Sequence, residues 1–298
     1  MFFRALLLSL ALAATPAVAE DAPDHAFAAY QRGYYVTALK EAMKRLEPGS
    51  ADAAAMTLVG VIYHDGAAVA RDLVQAARWY RLGADAGNRE AQFALGMMLL
   101  QGEGVDKDRA AATPWLQKAA AAGHAGAQYN LAIMAIDGDS GAPDFSRAKT
   151  LFESAAAGGD LDACNSLAIL YREGRGVAQD DIASTRWFAK SAAGDNATGQ
   201  VEYGLALFRG LGTAADEAAG AKFLLKAATR NNPVAQNRIA RILAAGRGMQ
   251  KNMVEAMKWH LLARSAGLKD DWLDRQLETL TAPEQAEVEA AVRRYVGK

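Results

Sequence analysis

One spacing constrains this chain more than any other property. Gly66, Gly102, Gly138, Gly174, Gly210 and Gly246 follow one another at intervals of 36 residues. The same step joins the small residues Gly60, Gly96, Ala132, Ala168, Gly204 and Ala240. It also joins the large apolar residues Trp79, Trp115, Leu151, Trp187, Phe223 and Trp259. A fourth column holds Asp72, Asp108, Asp144, Asp180, Asp216 and Asn252. Four columns with one period and one phase describe six copies of a single unit. A period of this size means units that bury their apolar faces by stacking on one another.

Each column has a physical task. In the unit that begins at His124, the residues Ala127, Leu131, Ala132 and Ala135 lie at helical spacing and predict a first helix. The small-residue column lets a neighbouring helix come close, and the recurring glycine ends the first helix in a left-handed conformation. A short loop, as in Gly102-Glu-Gly-Val105, leads to the Asp or Asn, whose side chain caps the free N–H groups of a second helix. That second helix carries the large apolar residue as its anchor and ends near Gly87, Gly123, Gly159, Gly194, Asn231 or Gly267. The expected fold is all-α, a right-handed α-solenoid of helix–turn–helix repeats over residues 52–267. At 51% hydrophobic and 22% charged, the chain has ample material for one continuous core.

The flanks read differently. Residues 1–19 have the layout of a signal peptide: Arg4, an apolar run from Ala5 to Ala14 broken by Ser9, and an Ala17-Val-Ala19 cleavage site. Residues 20–51 are expected to form a linker and a capping helix, with Tyr30, Tyr34, Ala38 and Ala42 on one stripe between Ala26 and Arg45. Residues 268–298 are expected to form C-terminal capping helices, with Trp272, Leu273, Leu277 and Leu280 on one stripe. Thr281 and Glu284 make a capping box that opens a last helix bearing Val288, Val292 and Tyr295 on one face. No later stretch is apolar for long enough to span a bilayer. The cleaved chain is therefore expected to be periplasmic or secreted, with no transmembrane segment.

The second unit carries a family pattern: Ala91-Gln92, Leu95-Gly96, Gly102-Glu-Gly-Val105, Asp108, Trp115, Ala119-Ala120 and Gly123. These residues resemble the Sel1-like repeat, a relative of the tetratricopeptide repeat. By analogy with tetratricopeptide repeats, positions of the first helix around the small-residue column line a concave face. They supply the apolar candidates Phe93, Met97, Tyr129, Ile133 and Phe208, with Arg172, Arg209 and Arg241 for polar specificity. The resemblance implies a non-catalytic scaffold that binds another protein or peptide segment in its groove. The signal peptide, the opening from Ala26 to Tyr34 and the stretch from Ala235 to Leu243 are similar to exported exopolysaccharide regulators of rhizobia. That similarity implies control of a sensor kinase through its periplasmic domain.

Other chemistry is sparse. A net charge of −1 argues against a nucleic-acid partner. The single cysteine, Cys164, rules out an internal disulfide or a multi-cysteine metal site and is expected to be a buried thiol. His25, His64, His124 and His260 are scattered, are expected at surfaces or interfaces, and call for no metal or cofactor. Ser146-Arg-Ala-Lys149 matches the Ser-x-x-Lys of penicillin-recognising enzymes, without a Ser-Asp-Asn or Lys-Thr-Gly partner. It keeps open an alternative, an envelope enzyme or binder acting on β-lactams or peptidoglycan fragments.

Overall fold

The computed structural model describes residues 24–47, 51–138 and 141–297. The expected signal peptide at residues 1–19 lies outside the described residues. Those described form sixteen α-helices and no strand. They fall into two compact units, one ending at Leu131 and the other beginning at Ala132.

The first unit contains α1 (His25–Gln31), α2 (Tyr35–Arg45), α3 (Ala53–Asp65), α4 (Leu73–Asp85), α5 (Arg89–Gln101), α6 (Arg109–Ala121) and the start of α7 (Ala125–Asp137). The single N-terminal helix expected from Ala26 to Arg45 is in fact two, broken where Gly33 adopts a φ of 79°. Tyr34 leaves the expected stripe and is exposed, and the buried face is made by Ala26, Ala29, Ala38 and Ala42. Arg45 fastens this pair to the first repeat. Its guanidinium lies 2.6 Å from both Asp24 and Asp52, which cap α1 and α3.

The second unit continues with α8 (Phe145–Ala157), α9 (Leu161–Glu173), α10 (Asp181–Ala193), α11 (Ala197–Arg209), α12 (Glu217–Thr229), α13 (Pro233–Ala245) and α14 (Met253–Ser265). It closes with α15 (Asp271–Glu278) and α16 (Ala282–Val296). The capping box of α16 is present, with the Thr281 N–H donating to Glu284 at 2.8 Å. Leu273, Leu280 and Val288 are buried against the last repeat.

Every helix from α3 to α14 has 13 residues, because each is bounded by the same devices. The Asp/Asn column caps the second helices, accepting a backbone N–H three residues on at 2.8–3.0 Å. A further column caps the first helices at the same step: Asp52, Asn88, His124, Asp160, Asn196 and Asn232. His124 substitutes there by accepting from the Ala127 N–H through Nδ1. The recurring glycine column has φ between 66° and 78° and ends each first helix.

Three expectations need correction. The large apolar column is not the main anchor: Trp79, Trp115, Leu151, Trp187 and Phe223 are half-buried, and Trp259 alone is buried. The buried knob stands one residue further on, at Tyr80, Leu116, Phe152, Phe188, Leu224 and His260, none more than 3% exposed. A step of one residue turns the side chain by about 100° around the helix, toward the small-residue column of the first helix. A Cβ added to Gly60 would lie 2.7 Å from the Tyr80 ring, and one on Gly96 would lie 2.8 Å from Leu116. Second, α10 exits through Asp195, with φ 65°, and not through Gly194. That keeps the period, and the Asp195 carboxylate then holds Lys226 and Arg230. Third, His260 is a core residue and not a surface one; it is fully buried with Nε2 2.8 Å from Asp274.

Candidate interaction surface

Phe93, Met97 and Tyr129 belong to the first unit. Phe93 on α5 is half-buried and stacks on the His124 ring at 4.1 Å between centroids. The His124 ring is itself fixed by Glu90, 3.0 Å from its Nε2. Met97 is 4% exposed and so lies beneath the helix surface, while Tyr129 on α7 is half-buried.

Ile133, Arg172, Phe208, Arg209 and Arg241 belong to the second unit. Ile133 is half-buried on α7. Arg172, at the end of α9, pairs with Glu202 at 2.8 Å and lies 5.5 Å over the Phe188 ring. Phe208, Arg209 and Arg241 come together around an open depression of about 500 Å³ between α11 and α13. Leu205, Ile242, Arg238 and Arg247 share in lining it. Sequence reasoning missed Arg238 and Arg247, since neither falls in a row assigned to the concave face.

Arg241 is held in place from below. Its Nε and Nη2 donate to the two oxygens of Asp270 at 2.6 and 2.8 Å, and Asn237 donates to Asp270 at 2.7 Å. Burial alone would raise the Asp270 pKa. The bonds from Arg241, Asn237 and the Leu273 N–H outweigh that and hold it at about 2.

The groups that suggested chemistry are engaged otherwise. Lys149 pairs with Glu153 at 2.7 Å, and that hydrogen bond raises its pKa, the opposite of what a proton-accepting lysine beside Ser146 needs. Ser146 itself is exposed on the first turn of α8. Cys164 is fully buried, and burial pushes its thiol pKa up. Among the described residues no group of three His, Cys, Asp or Glu side chains is placed to hold a metal ion. No described helix is long and apolar enough to cross a membrane.

Paired 13-residue helices capped at the same positions define an all-α repeat solenoid. The family model of the Sel1 repeat matches six times, at residues 53–88, 89–124, 125–160, 161–196, 197–232 and 233–268, and the chain belongs to that family. A Sel1 repeat protein from Oxalobacter formigenes is similar in structure, with a TM-score of 0.74 and 29% identity over 81% of this chain and 98% of that one. The protective antigen c5321 of uropathogenic Escherichia coli, which displays an SLR fold, shares the fold at a TM-score of 0.54 and 24% identity. That likeness covers 89% of this chain and 64% of the antigen. No curated protein matches the sequence. The Sel1 repeat fold is generally a protein–protein interaction scaffold, and proteins built from it are typically non-catalytic.

Proposed function

We propose that this protein is an exported, non-catalytic scaffold that binds a segment of a partner protein through the first-helix side chains that lie outside the recurring columns. One observation carries the reading. The recurring columns are spent on caps, turns and knobs, whereas Phe208, Arg209 and Arg241, which follow no such column identity, meet around an open depression. Apolar anchors ringed by arginine are the residue types that dominate protein interfaces. The sequence pattern of residues 1–19 supports a periplasmic or secreted site of action. In that compartment, the resemblance to exopolysaccharide regulators favours the periplasmic domain of a sensor kinase as the partner.

The test begins with a partner identified by crosslinking in intact cells and then purified. The double variant Phe208→Ala, Arg209→Ala is expected to lose binding to it while keeping a cooperative helical melting curve. Full binding by that variant would refute the assignment of these anchors. A chromogenic β-lactam serves as the second arm: no turnover is expected, and turnover that disappears in Ser146→Ala would overturn the non-catalytic reading.

A further inference from the structure

Around Phe208 the charges do not cancel. The depression between α11 and α13 brings four arginines together with one acid, Glu217. Arg247 is matched by Glu217, and its guanidinium lies 4.9 Å over the Phe208 ring. Arg241 is matched by Asp270. Arg209 and Arg238 have no acidic partner among the described residues. The Nε of Arg238 is buried and has no hydrogen-bond acceptor. The floor beneath these charges is apolar, made by Leu205, Phe208 and Ile242.

We propose that this depression takes an acidic segment of the partner protein, a deepening that rests on the scaffold reading above. An apolar side chain of the segment sits against Leu205 and Phe208, and flanking carboxylates pair with Arg209 and Arg238. The guanidinium fork matches a carboxylate in two parallel hydrogen bonds, so two such forks beside an apolar floor read charge and register together. A nucleic acid is the weaker fit, because the chain as a whole carries a net charge of −1.

A random-peptide display library selected on the full chain tests this. The expected binders carry Asp or Glu on both sides of an apolar residue. Their affinity is expected to drop by about tenfold or more in Arg209→Met, Arg238→Met, since charge-assisted pairs are lost while the stems are kept. It should also weaken as salt rises from about 50 to about 300 mM. Peptides without acidic residues, or acidic peptides indifferent to both substitutions, would overturn the proposal and leave the scaffold reading standing. A library that yields no binder to any face would sink both. Heparin or inorganic phosphate binding more tightly than every selected peptide would assign the arginines to a polyanion, and the proposal would fail there too.

Discussion

At the scale of single residues, the loop glycines show how closely the repeats approach. Gly104, Gly176, Gly212 and Gly248 have φ between 63° and 71°, and each passes over the first turn of the preceding second helix. A Cβ on Gly212 would stand 2.0 Å from the Asp181 carbonyl oxygen. In the first repeat the same position is Ala68, with φ 80°, and no earlier repeat lies before it to be struck. Gly267 isolates the other half of the effect, since its φ is 89° but an added Cβ meets nothing within 4 Å. Gly267→Ala should therefore cost about 1–2 kcal/mol, the price of the left-handed backbone alone. Gly212→Ala should cost about 3–4 kcal/mol, because a steric clash is added to that strain. Urea unfolding followed by helical circular dichroism measures both, and equal losses would show that the loop gives way without resistance.

At the scale of elements, Asp270 links two helices, α13 and α15. It caps α15 through the Leu273 N–H and receives Asn237 and Arg241 from α13, and α15 in turn packs against α14. Its folded pKa, about 2, lies below the ordinary carboxylate value of 3.8. A depressed folded pKa stabilises the fold above the unfolded value and loses that contribution as pH falls through the folded one. Asp270→Asn should therefore cost about 2 kcal/mol at neutral pH, with the gap between variant and parent closing from about pH 4 to about pH 2. Paired melts of the two proteins across that range would show it, and a gap independent of pH would mean the carboxylate charge is irrelevant. Neither the Arg241–Asp270 bond nor the Arg172–Glu202 bond was legible in the sequence. Each joins positions about a repeat apart that do not recur, so periodicity says nothing about them. The knob column was hidden for the opposite reason. It recurs in place but runs Tyr, Leu, Phe, Phe, Leu, His, and the more conspicuous tryptophans stand one residue earlier.

At the scale of the whole molecule, the fold was legible because each unit repeats the same solution to burying a helix pair, so six weak signals add to a strong one. The terminal elements break that repetition, and their reading depended on local chemistry: the Thr281–Glu284 box survives, whereas the N-terminal helix splits at Gly33. These ends have a task the repeats cannot perform for themselves, since a stack of identical units leaves an apolar face open at each terminus. At the C-terminal end α15 and α16 cover that face. Leu273 and Val288 are no more than 1% exposed, and Tyr295 meets Trp259 edge to face at 5.2 Å. Ending the chain after Gly267 would expose Trp259 and Met257 to water, and at about 25 cal/mol per Å² of apolar surface uncovered, self-association becomes the favourable way to hide them. The truncated protein should remain helical, melt earlier than the parent, and elute as a dimer or larger species in size exclusion with light scattering. Leu273→Ala supplies a milder version of the same lesion, with an expected loss of about 2–5 kcal/mol and no change of length. A truncated chain that stays monomeric with an unchanged melting temperature would mean that the last repeat closes the stack without its cap.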